Sequence, residues 1–214
     1  MNIAVYFIVA LAAYFISGLN PAIILSKAIY HEDIRKSGSG NPGFTNFARV
    51  FGHKYAWLVF VLDIGKGALI SVAAGALFSH YCGSRALGVA YAGTFALLGH
   101  AYPVMYRFRG GKGFLVCLST LWFIHPGAGA VGTAVLVVAL LTTKFMSLST
   151  LGALIVGAIF VVIFGGSTAV CLMYAGCVLF VIVRHRGNIV RLMRGEEPKF
   201  SFGHKKVEVY QWKT

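Results

Sequence analysis

The sequence predicts an all-α, polytopic bundle of membrane helices, and three observations carry that prediction. The chain is 58% hydrophobic and only 12% charged, where a soluble domain is about one quarter charged. Its mean hydropathy is +0.78, and its apolar runs approach the ~20 residues that a helix needs to cross a bilayer. Finally, Lys and Arg gather in the short stretches between those runs. The net charge of +13 raises nucleic acid as a partner. Cations interleaved with apolar spans do not line one face of a soluble fold, so they read instead as topology signals, anion ligands and contacts to membrane lipids.

The apolar segments run over residues 3–26, 55–79, 86–106, 114–124, 127–143, 147–165 and 168–183, giving about seven transmembrane helices. The first has no Lys or Arg ahead of it and is long enough to span, so it reads as a helix rather than a cleaved signal. The fourth is short. The His125-Pro126-Gly127 break after it is either a turn or a kink in one longer helix. Of 19 Lys and Arg residues, 17 fall on one side of a seven-span topology, five in 27–54, three in 107–112, Lys144, and eight from Arg184 onward. Cations mark the cytoplasmic side, so the N-terminus is expected outside and the C-terminus inside. Residues 1–214 show no linker and read as one domain.

The small residues Gly127, Gly129 and Gly132, or Ala153 and Gly157, suit close helix packing, and Trp57 and Trp122 suit interfacial anchoring. Four cysteines without a CxxC or Cys/His spacing point to neither disulfides nor a metal, and no cofactor is expected.

Three stretches between spans carry candidate chemistry. In SGSGNPGFTNFARVFG, from Ser37, the glycines formally satisfy GxGxxG, but no strand precedes them, so a dinucleotide fold is excluded. Asn41 reads as an N-cap with Pro42 at the first helical position, opening a short helix to about Phe51 on which Thr45 and Arg49 share a face. A helix N-terminus, the Ser39 hydroxyl and a guanidinium form an anion site, although a solvated capped loop would look the same. In YRFRGGKGF, from Tyr106, Gly110, Gly111 and Gly113 around Lys112 let consecutive N–H groups converge on an oxyanion at the start of a membrane helix. The positive-inside rule explains these charges but not the glycines. In RHRGNIVRLMRGEEPKF, from Arg184, His185 and Asn188 project together on a helix beside Arg184 and Arg191, an arrangement that also suits contact with anionic headgroups. Glu196 and Glu197 oppose the helix dipole preference, which points to pairing with a basic loop. Asp63 and Lys66, three apart within a span, are either functional or an ion pair that holds the packing.

Together these stretches resemble the PlsY family of bacterial glycerol-3-phosphate acyltransferases. GSGNPGFTNFAR, DIGKG, GHAYPVMYRFRGGKGF and HRGNIVRLMRGEEPKF occur in that order across nearly the whole chain. The resemblance implies transfer of an acyl group from acyl phosphate to the sn-1 hydroxyl of glycerol 3-phosphate, in the inner membrane with the site on the cytoplasmic side. It implies catalytic roles for Ser39, Arg49, Lys112, His185 and Asn188. Phosphate or substrate contacts are implied for Gly40, Asn41, Thr45, Asn46, Lys66, Gly110, Gly111 and Gly113, with Asp63 and Glu197 structural. Phe44 stands where the family usually has Ala, and Pro42 where an apolar residue is common.

A transporter of a small anion is the competing reading, but it would concentrate polar groups at mid-membrane, whereas these crowd one surface. A lipid-binding scaffold would need charge but not residue identity. An HxxxxD acyltransferase is excluded, because none of the seven histidines has Asp five positions later. The topology predicts that single cysteines placed in the loops of a cysteine-free background react with an impermeant reagent from outside only at the Arg85 side. Labelling beside His185 from outside would overturn it.

Overall fold

The computed structural model describes residues 3–201. Met1, Asn2 and residues 202–214 lie outside the described residues, and with them Lys205, Lys206 and Lys213 of the C-terminal cation count. The regular secondary structure of the described residues is helical, with no strand. In order it forms α1 (Ile3–Gly18), α2 (Pro21–Tyr30), α3 (Phe44–Phe51), α4 (His53–Cys82), α5 (Arg85–Ala101), α6 (Phe114–Ile124), α7 (Pro126–Thr143), α8 (Met146–Phe164), α9 (Thr168–Arg184) and α10 (Arg186–Met193).

Each of the seven apolar segments is helical, but length does not make each a full crossing. Four spans are long and apolar enough, Ile3–Tyr30 taken together, α4, α7 and α8, and α9 with α10 adds a fifth if their 58° bend is one broken span. With 17 and 11 residues, α5 and α6 fall short of ~20.

The first segment is divided where hydropathy gave no warning. Pro21 has no N–H to give and sits at the first helical position, while Asn20, extended at φ −92°, accepts the Ile23 N–H at 3.0 Å through Oδ1. The other end of that amide donates to the Pro42 carbonyl at 3.1 Å, tying the break to the first polar loop. The His125-Pro126 junction is a reversal, not a kink. Residues seven apart on a straight helix are separated by ~10.5 Å, yet a Cβ on Gly129 would lie 2.8 Å from the Trp122 Cα. Trp122 Nε1 also donates to Thr133 Oγ1 at 3.0 Å. The turn brings Gly132 against the Ala153 carbonyl of α8, so the small-residue faces are packing faces.

Apolar side chains bury in three groups, one among α5–α9, one among α1, α4, α5 and α6, and one joining α2, α3 and α4 to Phe200. At the junction of the last two, Asp63 is 2% exposed, and its Oδ1 lies 2.8 Å from Lys66 Nζ. The same ammonium donates to the carbonyls of Ser17 and Leu19 at 2.9 and 3.2 Å, where the end of α1 leaves acceptors without intrahelical partners. Lys66 therefore fastens the α1–α2 break to α4. Lys66→Met strands a buried carboxylate and is expected to cost about 3–5 kcal/mol, part of which Asp63→Asn in the same chain restores. Thermal unfolding in detergent measures both, and equal losses in the single and double variants would contradict the pairing.

Candidate active site

The three polar stretches converge on one cavity of about 330 Å³. Ser39, Asn41, Thr45, Asn46 and Arg49 reach it from α3 and the loop before it, Lys112 and Gly113 from the start of α6, and His185 and Asn188 from the α9–α10 bend. Asp63 and Glu197 also face it, as do His100, Ser147 and Arg191.

The first loop is shaped by Asn46 rather than by Asn41. Asn46 Oδ1 accepts the Ser39 N–H at 2.9 Å and its Nδ2 donates to the Ser37 carbonyl at 3.0 Å, so its amide is spent on the loop. The helix begins later than expected, with Gly43 as N-cap in extended conformation and no side-chain cap. Asn41 therefore caps nothing, because Pro42 and Gly43 continue the loop instead of opening a helix turn. Thr45 and Arg49 do share the face turned to the cavity.

The glycine stretch is built differently from an open nest of N–H groups. Gly110 and Gly111 donate their amides to the carbonyls of Ala101 and His100 at 3.0 and 3.1 Å, and Arg184 clamps the Gly110 and Gly111 carbonyls from the far side at 3.3 and 3.0 Å. These glycines are small because the chain is threaded against a wall. A methyl on Gly111 would overlap His100 Nε2, and one on Gly110 the His100 carbonyl. His100 is itself held by Lys66, whose Nζ lies 3.1 Å from Nδ1. That leaves the Lys112 ammonium and the first turn of α6, whose first backbone bond is Cys117 N–H to Gly113 O at 3.0 Å, facing the cavity.

A buried carboxylate orders the cations. Glu197 Oε1 accepts from Ser147 Oγ at 2.8 Å and from Asn188 Nδ2 at 2.6 Å, and Oε2 from Arg191 Nε at 2.8 Å. With Nδ2 committed, the Asn188 Oδ1 is turned to accept from Lys112 Nζ. Burial holds Lys112 down to about 8, against the pull of Glu197 and reinforced by Arg191, Arg184 and Arg49. Burial also lowers Arg49, whose guanidinium makes no hydrogen bond or ion pair to another described residue. His185, just past the end of α9, points Nδ1 at the Val181 carbonyl at 2.8 Å. A carbonyl only accepts, so Nδ1 carries the proton and Nε2 keeps a lone pair. Burial and the Lys112 charge hold this imidazole at about 4.

The structure thus gathers Ser39, Asn41, Thr45, Asn46, Arg49, Lys112, Gly113, His185, Asn188, Asp63 and Glu197 around the cavity, and separates four other candidates from it. Gly40 and Gly110 line a different cavity, Gly111 backs onto His100, and Lys66 is engaged at the α1–α2 break. Sequence reasoning overlooked His100 and Ser147. A histidine at the end of an apolar run, two residues before Tyr102-Pro103, was the available sign of the first. It also overlooked the apolar half of the cavity, where Phe44, Trp57, Phe60, Leu136, Leu140 and Leu141 line the wall.

The family model described as glycerol-3-phosphate acyltransferase matches residues 7–195. This chain belongs to the glycerol-3-phosphate acyltransferase family. A relative from Thermoanaerobacter pseudethanolicus carrying that name is 36% identical over 89% of this chain and 93% of its own length. One from Finegoldia magna is 34% identical over 93% and 98%. A crystal structure of PlsY, an integral membrane glycerol 3-phosphate acyltransferase, in its glycerol 3-phosphate form matches with a TM-score of 0.84 at 30% identity, covering 92% of this chain and 96% of PlsY. Its lysophosphatidic acid form matches at 0.81 and 29%. This acyltransferase is accordingly an integral membrane protein.

Two glycine substitutions test the role of the wall. Gly111→Ala is expected to cost about 1–3 kcal/mol through overpacking against His100 and to displace Lys112, lowering activity. Gly65→Ala, where a methyl meets nothing within 4 Å, is expected to leave activity intact. Activity assays with unfolding curves read both, and an active, stable Gly111→Ala would contradict the packing.

Proposed function

We propose that this chain transfers an acyl group from acyl phosphate to the sn-1 hydroxyl of glycerol 3-phosphate, releasing lysophosphatidic acid and inorganic phosphate. Residues 1–214 would act as one domain in the bacterial inner membrane, with the N-terminus outside and the site on the cytoplasmic side. One observation supports the substrate assignment: a single cavity is lined both by cations and hydrogen-bond donors and by aromatic and aliphatic side chains from α3, α4 and α7. A phosphate joined to a long acyl chain matches both kinds of lining, and more than one cation suits a second, water-soluble phosphate.

The chemistry asks little beyond positioning. An acyl phosphate is a mixed anhydride whose phosphate leaves readily, so the site must hold two anions, bring hydroxyl and carbonyl together, and stabilise the oxyanion. Among the described residues, Arg49 and Lys112 face the cavity without a carboxylate of their own, since Glu197 is paired with Arg191 and Asp63 with Lys66. That excess favours bound phosphate. Arg49 offers two parallel donors to one phosphate, and Lys112, fixed by Asn188, offers a point charge to the other. The hydroxyl oxygen bonds to the carbonyl carbon, the bond from that carbon to the phosphate oxygen breaks, and the proton leaves to a phosphate oxygen. His185 at about 4 is a weak base, and its Nε2 accepts a hydrogen bond that orients the hydroxyl. A transporter is disfavoured, because Arg49 on α3 and Lys112 just ahead of α6 lie outside the candidate spans rather than within them.

Purified protein with radiolabelled glycerol 3-phosphate is expected to turn over with acyl phosphate and not with acyl-CoA or acyl-carrier protein. Efficient use of a thioester would overturn the donor assignment. In the same assay Arg49→Lys should lose roughly 10- to 150-fold in kcat/KM, the worth of one charged hydrogen bond, while near-normal turnover would remove Arg49 from the site. His185→Gln should retain more activity than His185→Ala.

A further inference from the structure

The second cavity, about 630 Å³, lies on the opposite side of the same two loops. Ser39 faces the first cavity and Gly40 the second, as Lys112 faces the first and Gly110 the second. Among the described residues, five cations from three separate segments surround it, Lys27 at the end of α2, Arg35 and Lys36 in the first loop, and Arg107 and Arg109 ahead of the glycines, against one carboxylate, Asp33. Asp33 is already spent. Its two oxygens take Arg35 Nε at 2.9 Å and Nη2 at 2.6 Å, and Lys27 approaches at 3.7 Å. The remaining Arg35 nitrogen donates to the carbonyls of Tyr106 at 2.9 Å and Arg109 at 3.4 Å. The acid is thus neutralised within the wall, and Arg35 staples one loop to the other. The Lys36, Arg107 and Arg109 side chains make no ion pair or hydrogen bond with described residues.

The positive-inside rule accounts for cations in these loops but not for their convergence on one concavity. Nor does it account for the backbone that aims them. Arg107 and Phe108 are consecutive non-glycine residues in the left-handed region, at φ 56° and 57°, a conformation that costs about 1–2 kcal/mol per residue. It is held by Arg107 N–H to Val104 O at 3.1 Å and Phe108 N–H to Pro103 O at 3.0 Å. Strain of this kind persists where the surroundings demand the shape.

We propose that this cavity is a second anion site that binds a phosphate group through Lys36, Arg107 and Arg109. Such a group reaches it as the headgroup of an anionic lipid or as free phosphate, and two measurements separate these. Calorimetric titration of the full chain in neutral detergent with inorganic phosphate reads free-anion binding. The titration uses an Arg49→Ala background, which weakens the first site. Native mass spectrometry of the full chain released from mixed phosphatidylglycerol and phosphatidylcholine micelles reads retained anionic lipid. Replacing the three exposed cations together, Lys36→Gln, Arg107→Gln and Arg109→Gln, is expected to weaken binding on the order of a hundredfold, roughly fivefold per surface cation. Loss in the lipid arm assigns a headgroup, and loss in the phosphate arm assigns the free anion. Binding in neither arm, or binding that the triple substitution leaves unchanged in both, overturns the proposal. Unfolding curves of the triple variant, expected to match the parent, keep a folding defect from being read as lost binding.

Discussion

A buried carboxylate in a cavity full of cations constrains everything around it. Glu197 is 8% exposed and lies past the end of α10, where nothing helical requires it. Removed from water, it is tolerable only if its oxygens are satisfied, and they are, by Ser147 from α8 and by Asn188 and Arg191 from α10. That demand turns the segment after α10 back across the site. There Phe200 N–H meets the Lys144 carbonyl at 2.7 Å, and Phe200 joins the aromatic cluster of Phe44. The same demand sets the Asn188 amide, and the amide sets Lys112.

Among the described residues, the site carries more positive charge than its carboxylates match. Lys66 and Asp63 cancel each other where α1, α4 and α5 meet, and Arg35 and Asp33 cancel beneath the loops. These matched pairs build walls. Among the described residues, Arg49 and Lys112 are left desolvated without matching carboxylates of their own, which is unfavourable unless an anion is bound. Binding a phosphate therefore recovers energy that folding withheld. This division between matched and unmatched cations separates scaffold from site more sharply than residue type does.

Much of this was legible in the sequence, and the illegible part has a common cause. Apolar run length fixed seven helical segments, since burying a backbone in lipid leaves few alternatives. Run length was blind to Asn20-Pro21, because a cap inside an apolar stretch barely changes hydropathy. Arg49, Lys112, His185 and Asn188 were readable as a group because anion chemistry needs those side chains near the membrane surface. What each does with its neighbours was not readable. The glycines at 110 and 111 read as a phosphate nest until His100, ten residues earlier, is found filling the space beside them. Lys66 read as a ligand until the carbonyls of Ser17 and Leu19, nearly fifty residues away, claim its protons. Asn46 is spent on the loop that carries Ser39 for the same reason. Local spacing reports which groups are available, and only tertiary neighbours decide which remain free.

The central claim, that desolvated and under-neutralised cations await a phosphate, is tested most directly on Lys112. Its ammonium can be titrated by carbon-13 NMR of side-chain-labelled protein, assigned by Lys112→Arg, with and without glycerol 3-phosphate. The account predicts a midpoint near 8 in the free protein and a clear rise once the dianion is bound, since an opposite charge favours the protonated form. An ordinary lysine midpoint of about 10.4, unmoved by the ligand, would contradict it.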